Sequence, residues 1–351
     1  MLVQLENNVM IGGKRVGESV LIIAEAGVNH NGSLKRALKM VDEARQAGAD
    51  AVKFQTFVTE RLVSSEAPKA DYQKKRARGR TQYDMLKPLE LSPQDFAAIA
   101  ERARRRRILM LSSAFDEESA NLLEDLGVAA YKAGSGELTN IPLLEHIAKK
   151  GKPVLLSTGM GTLDEIEEAV SAIRAQGNNQ IVILHCVSSY PSRAQDSNLR
   201  AMHLLRKRFG VAVGFSDHTE GVEVALAAAA LGAVVIEKHF TLSRKLPGPD
   251  QKASLEPTEF RAMVQGIRVI EEALGKPVKE PTPEELKMRL VARRSLVASM
   301  NIPKDQVITR QMVAIKRPGT GIPPKEIGNM IGKRATRNIR RDQVLRWNMV
   351  D

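Results

Sequence analysis

Between Val20 and Phe240 the chain repeats one pattern: a short run of consecutive apolar residues, a polar or glycine-rich stop, then a segment whose apolar residues recur at helical spacing. Eight such runs can be counted: "VLIIAEAG", "AVKFQTF", "ILMLSSAF", "AAYKAGSGE", "PVLLSTGM", "IVILHCVSSYP", "VAVGFSDHT" and "VVIEKHF". Continuous apolar runs of this length predict strands buried on both faces, and therefore a parallel sheet. The intervening segments carry helix-start signals. Ser33 follows an Asn-Gly turn and precedes Leu34, Leu38 and Val41; Ser92 precedes Pro93; Thr162 and Glu165 form a capping box ahead of Ile166, Val170 and Ile173. Strand-helix units in this number and order predict an α/β fold of the (β/α)8 barrel type, with its last helix near "PTEFRAMVQGIRVIEEALG". A doubly wound open sheet uses the same units, but no GxGxxG turn follows the first run, which weighs against it.

After Gly275 the pattern stops. "KPVKEPTPEELK" is rich in proline and charge and reads as a linker, so the chain divides into a barrel domain over 1–275, a linker over 276–290 and a small domain over 291–351. The small domain holds a near-repeat. "NIPKDQVITRQMV" from Asn301 and "NIRRDQVLRWNMV" from Asn338 share seven of thirteen residues at a spacing of 37, which predicts internal pseudo-twofold symmetry. A core of that size is marginal, so the domain is expected to pack on the barrel or on a second subunit.

Composition narrows the class. A 43% hydrophobic and 27% charged chain without a run of about 20 apolar residues is expected to be soluble and not to insert into a bilayer. The opening "MLVQLENNVMIGGKRVGESV" lacks the apolar core of a signal peptide, and the single cysteine, Cys186, excludes an internal disulfide framework; both favour the cytoplasm. Lys and Arg outnumber Asp and Glu by 53 to 41. The cations read as dispersed, aromatics are only 4%, and the "RRRR" run from Arg104 to Arg107 ends a helical segment, where cations suit the dipole, so no nucleic-acid partner is expected. A basic balance also suits an anionic small substrate.

In (β/α)8 enzymes the active site gathers at the C-terminal ends of the strands, and here those ends are crowded with polar residues. The first run supplies Glu25, Asn29 and His30, the second Lys53 and Gln55, the third Ser112 and Ser113. The fourth has Lys132, Ser135 and Glu137, the fifth Ser157 and Thr158, the sixth His185, Ser188, Ser189 and Tyr190. Ser216, Asp217 and His218 end the seventh, and Glu237, Lys238 and His239 the eighth. One barrel mouth is expected to collect them all. His218 and His239 end adjacent strands, so both rings could reach one Mn²⁺, Zn²⁺ or Fe²⁺ ion, with Asp217, Glu237 and Asp250 as further ligands or supporting partners. His146 and His203 fall in helical segments and read as structural. The three strand-end lysines, Lys53, Lys132 and Lys238, permit either a Schiff base, as in lysine-dependent aldolases, or an anion site shared with Ser135, Ser157 and Ser216.

Taken together, "IAEAGVNHNG", "AVKFQTF", "YKAGSGE", "LLSTGM", "LHCVSSYP", "GFSDHTEG", "VIEKHFTL", "GPDQKASLEP" and "KRPGTGI" resemble the sialic acid synthase family over nearly the whole chain, in the family's order. The resemblance implies a (β/α)8 barrel followed by a small antifreeze-like (SAF) domain, which in the family's domain-swapped homodimer reaches over the partner's active site. It implies condensation of phosphoenolpyruvate with N-acetylmannosamine or a related N-acetylated amino sugar, using a divalent ion, Mn²⁺ before Mg²⁺ or Co²⁺. By motif, His218 and His239 would be metal ligands and, with Glu25 in proton transfer, catalytic. Lys53, Lys132, Ser135, Ser157 and Ser216 would line the phosphoenolpyruvate site beside Glu237. Gln55, Glu137, Tyr190 and Asp250 would face the sugar, and Arg317 would meet its acyl group from the other subunit. "LSSAF" puts Ser113 and Ala114 where the family usually has Thr-Pro, and Ser188 stands where some members have Asn. "SDHTEG" and "KASLEP" resemble legionaminic acid synthases at least as well as N-acetylneuraminate synthases. Two other classes compete: an aldolase or deoxy-sugar-phosphate synthase on the same barrel, and an ice- or glycan-binding C-terminal module on an inert barrel.

Overall fold

The computed structural model describes residues 9–76 and 79–351; the first eight residues of the opening segment, read above for a signal peptide, lie outside them. The chain forms two compact units, Met1–Gly275 and Lys276–Asp351.

In the first unit eight parallel strands close into a barrel. They are β1 (Leu21–Gly27), β2 (Ala51–Thr56), β3 (Leu109–Ala114), β4 (Tyr131–Ala133), β5 (Val154–Ser157), β6 (Ile181–Cys186), β7 (Ala212–Asp217) and β8 (Val235–His239), and β8 pairs back onto β1. Each is followed by a helix: α1 (Leu34–Gln46), α2 (Pro93–Arg106), α3 (Glu117–Asp125), α4 (Ile141–Lys149), α5 (Leu163–Ala175), α6 (Ala201–Phe209), α7 (Glu223–Ala230) and α8 (Pro257–Leu274). The N-caps read from the sequence are in place. The Ser33 side chain accepts from the Arg36 N–H, and Ser92 with Asp95 and Thr162 with Glu165 form capping boxes. The four-arginine run occupies the last turn of α2, where Arg105 pairs with Glu101 at 2.7 Å and Arg107 caps the helix in the left-handed region at φ 54°.

Strand alternation sorts the side chains into two layers. Ile22, Val52, Phe54, Leu156, Ile183 and Ile236 face the helices. Leu21, Ile23, Leu111, Leu155, Leu184 and Val235 fill the barrel interior, joined by Val9, Ile11 and Val16 of a short hairpin, Met10–Ile11 with Lys14–Arg15. Further along each strand the inward positions turn polar, and the packed interior gives way to the site. Among the described residues no helix is long and apolar enough to cross a membrane.

The second unit opens on α9 (Pro283–Ala292), inside the stretch expected to be a linker. Thr282 and Glu285 form a capping box with Pro283 in the first turn, so local signals suffice to start this helix although none of its residues is buried. Beyond it, β9 (Ser295–Ala298) pairs antiparallel with β10 (Val313–Lys316) over a core that includes Leu296, Ile302, Ile308, Ile339 and Leu345. The near-repeat is a structural one. Ile302 and Ile339 exchange backbone hydrogen bonds of 2.8 Å in both directions. The Lys304 N–H donates to Asn338 Oδ1 while the Arg341 N–H donates to Asn301 Oδ1, each at 2.8 Å. Asp305 and Asp342 hold the same left-handed conformation, φ 65° and 64°, which short polar side chains tolerate.

Candidate active site

The inward positions at the C-terminal ends of the strands bring Glu25, Lys53, Gln55, Lys132, Ser157, Ser216, Glu237 and His239 into one mouth. Lys53 Nζ lies 2.7 Å from Glu25 Oε2 and 3.7 Å from Glu237 Oε2, and donates to Ser113 Oγ at 3.1 Å. Lys132 Nζ stands 3.7 Å from Glu237 Oε1, which also accepts from Ser216 Oγ at 3.0 Å. Gln55 Nε2 donates to Glu25 Oε1 at 3.3 Å. Two carboxylates and two ammonium groups, all buried, therefore form one connected lattice.

Their environments push the two carboxylates apart. Burial raises Glu25, only partly countered by Lys53, to about 7. Burial acts on Glu237 too, but Lys132 and Lys53 outweigh it and hold that carboxyl at about 2. Lys132 is lowered by burial, whereas Lys53 is raised because Glu237 and Glu25 overcome the same penalty. A carboxyl poised near neutrality beside one that stays ionised is the division of labour that proton-transfer sites use.

At the rim, the rings of His218 and His239 lie 5.4 Å apart, and Tyr190 packs against both, at 4.2 and 5.7 Å. His218 Nδ1 is 2.7 Å from the Val187 carbonyl, which fixes the proton there and leaves Nε2 as a lone-pair donor. His239 Nδ1 is buried with no hydrogen-bond partner among the described residues. Burial lowers both imidazoles, keeping them in the neutral form that ligation requires. These observations fit a divalent ion held by two imidazoles. Among the described residues no group of three or more His, Cys, Asp and Glu converges on one point.

A second nook lies across the mouth. Ser135 Oγ accepts from the Gly159 N–H at 3.0 Å and lies 3.1 Å from Cys186 Sγ. A Cβ built on Gly159 would stand 2.3 Å from Ser188 Oγ, 2.8 Å from Ser135 Oγ and 2.9 Å from Cys186 Sγ. Among the described residues the buried hydroxyls of Ser157 and Ser188 have no hydrogen-bond partner. Only glycine lets Ser135, Cys186 and Ser188 approach residue 159 this closely, and unpartnered hydroxyls with Lys132 on an inward strand face are groups able to donate to an anion. The sequence reading named the serines but passed over Gly159 and Cys186. The period-two register of "ILHC", which puts Cys186 on the same face as Leu184, was the available signal for the cysteine.

Not every strand-end residue reaches the mouth. Ser112, His185, Asp217 and Lys238 occupy outward positions of their strands. Ser112 Oγ bonds Thr56, and His185 bonds the Ser197 carbonyl at 2.8 Å. Lys238 pairs with Asp217 at 2.7 Å in full burial, out of reach of a substrate carbonyl. Asn29 donates to the Phe240 carbonyl and to Ser254 Oγ, and Thr158 Oγ1 to the Leu184 carbonyl. His30 is buried beside Phe54, accepts from the Gly32 N–H, and is lowered by burial to about 4. The expectation that one mouth collects every polar strand end is thus corrected by the period of two. Glu137 is held by Asn140 Nδ2 at 2.7 Å, and burial raises its carboxyl; Asp250 is also buried, its carbonyl accepting from Ser254 Oγ. Arg317 belongs to the second unit, where it is exposed and, like Tyr190 in the first, precedes a cis proline.

The NeuB family profile matches residues 40–279, and the SAF domain profile residues 293–351. N,N'-diacetyllegionaminic acid synthase of Legionella pneumophila subsp. pneumophila is 44% identical over 352 residues, 98% of this chain and 99% of its own. N-acetylneuraminate-9-phosphate synthase of Homo sapiens is 35% identical over 332 residues, 94% and 92% of the two chains. Among solved structures, N-acetylneuraminic acid (sialic acid) synthetase from Leptospira borgpetersenii serovar Hardjo-bovis, in complex with citrate, matches with a TM-score of 0.72 and 36% identity over 80% of this chain and 94% of its own.

Proposed function

The chain belongs to the NeuB family and carries a C-terminal SAF domain, and from that premise we propose that it is a nonulosonic acid synthase. It condenses phosphoenolpyruvate with an N-acetylated amino sugar and water, releasing phosphate. The higher identity to the legionaminic enzyme, 44% against 35% for the human one, favours 2,4-diacetamido-2,4,6-trideoxymannose over N-acetylmannosamine as acceptor. The observation that carries the reading is the buried Glu25, Lys53, Glu237, Lys132 lattice, joined through Ser216 to the histidine pair.

His218 and His239 would hold a divalent ion, Mn²⁺ by preference, which when bound would polarise the open-chain aldehyde of the sugar. Lys53 and Lys132 neutralise the carboxylate and phosphate of phosphoenolpyruvate, with Ser135, Ser157 and Ser216 donating to their oxygens. The sugar lies against Gln55, Glu137, Tyr190 and Asp250. The methylene carbon of phosphoenolpyruvate bonds to the aldehyde carbon as the aldehyde's C=O π pair moves onto its oxygen, which takes a proton from solvent to become the new hydroxyl, leaving positive charge at the enol carbon. Glu25, poised near neutrality, takes a proton from the water that adds there, and phosphate then leaves by cleavage of its bond to carbon. The working form is a homodimer in which Arg317 of one chain meets the acyl group in the other's site. The apolar residues Leu286, Met288, Leu290 and Val291 of α9, 47–64% exposed in the single chain, support a second copy. The absence of a second cysteine to pair with Cys186 is consistent with a cytoplasmic enzyme.

The test is phosphate release from phosphoenolpyruvate with each sugar, with and without Mn²⁺. Turnover is expected with the diacetamido sugar, abolished by EDTA, with bridging ¹⁸O recovered in phosphate. Retention of that label in the sugar acid would overturn the C–O cleavage, and a borohydride-trapped lysine adduct would favour the aldolase reading instead.

A further inference from the structure

Asp217 and Lys238 are fully buried, outward of the barrel interior, and paired at 2.7 Å. They face each other across β7 and β8 in register, and each directly precedes one of the paired histidines, His218 and His239. The contacts extend to the far side of His218. Asp217 Oδ1 accepts from both the Thr219 N–H and its hydroxyl, at 2.8 and 2.7 Å, while Lys238 Nζ also donates to the Thr219 carbonyl at 2.6 Å. Residues 217 and 219 are thereby tied to the residue before His239. From the opposite side, the Val187 carbonyl holds the His218 ring and the Ser192 N–H holds its backbone carbonyl at 2.9 Å.

Stability does not account for this pair, because a buried ion pair contributes little compared with apolar residues of the same volume. Substrate contact does not account for it either, since both side chains point away from the mouth. We propose that the Asp217–Lys238 pair is a positioning element that sets the separation and orientation of His218 and His239 for a divalent cation. The proposal rests on the reading that those two histidines hold the ion. The pair itself touches neither metal nor substrate; it acts through the backbone of the two strand ends, as supporting shells around metal ligands do.

The experiment titrates full-length protein with Mn²⁺ without substrates, following loss of the free-ion electron paramagnetic resonance signal, and records thermal unfolding of the same samples. The variants are Asp217→Asn, Lys238→Met and the charge-free double Asp217→Leu/Lys238→Met. Mn²⁺ affinity is expected to fall about 10-fold or more in all three. The double is expected to regain the unfolding temperature lost by the singles without regaining affinity, a split that a merely structural pair would not give. Should the double fail to fold, the nearly isosteric Asp217→Asn decides the matter. Mn²⁺ binding within about twofold of the parent in any folded variant of the pair overturns the proposal. His218→Ala and His239→Ala distinguish the two levels. If they lose Mn²⁺ while the pair variants keep it, positioning alone fails; if they bind as the parent does, the histidine reading fails and takes the proposal with it.

Discussion

Glu25 is the residue on which pH should act most visibly. Its folded pKa of about 7 is raised from an ordinary 4.5, so its contribution to stability is present below the unfolded value and is lost as pH rises toward neutrality. Relative to Glu25→Gln, the parent is expected to lose up to about 3 kcal/mol between these limits, measured by urea unfolding at a series of pH values. Activity should run the other way. A carboxylate that accepts the water's proton must be ionised, so kcat climbs with pH through about 7. The Gln variant loses that limb and falls about 10² to 10⁴-fold in rate. A pH profile unchanged by the substitution would remove Glu25 from proton transfer.

At the scale of elements, barrel closure depends on how closely β7 and β8 approach. Gly214 sits inward on β7, and a Cβ there would lie 2.6 Å from the Val235 carbonyl oxygen and 2.7 Å from a Leu184 methyl. Gly214→Ala is therefore expected to cost about 1–3 kcal/mol through overpacking, read as an earlier urea midpoint with unchanged slope. The eight strands were legible because each is a continuous apolar run, and the helix starts because Ser33, Ser92 and Thr162 cap as such residues do. Facing was legible too, had the period of two been applied within each run. In "VVIEKHF" it places Glu237 and His239 on one side and Lys238 on the other, as the structure has them. The nook at Gly159 was not legible, since it joins Ser135 after β4, Gly159 after β5, and Cys186 with Ser188 at the end of β6. Helix α9 was obscured by the prolines around it, although Thr282 and Glu285 announced its start.

For the whole molecule, charge is less even than the sequence reading supposed. Residues 276–351 hold 17 Lys and Arg against 7 Asp and Glu, a net +10 (17 − 7) out of the chain's +12. A chain of net +12 attracts a substrate bearing both a phosphate and a carboxylate, and salt screens the attraction. Raising ionic strength from about 0.05 M to about 0.5 M should lower kcat/KM for phosphoenolpyruvate about threefold or more while leaving kcat nearly constant; steady-state kinetics across a salt series checks it. An unchanged kcat/KM would confine the useful positive charge to Lys53 and Lys132.

The same C-terminal unit carries a second consequence in its repeat. Asn301 caps the turn at Arg341, Asn338 caps the turn at Lys304, and Ile302 and Ile339 pair with each other. Each half thus takes from the other one of the groups that complete its turn. The unit is in effect a dimer of two half-modules written into one chain, as a duplication followed by fusion would leave it. Its ancestor need have been no more than a single turn-and-strand module that found its missing partner in a second copy of itself.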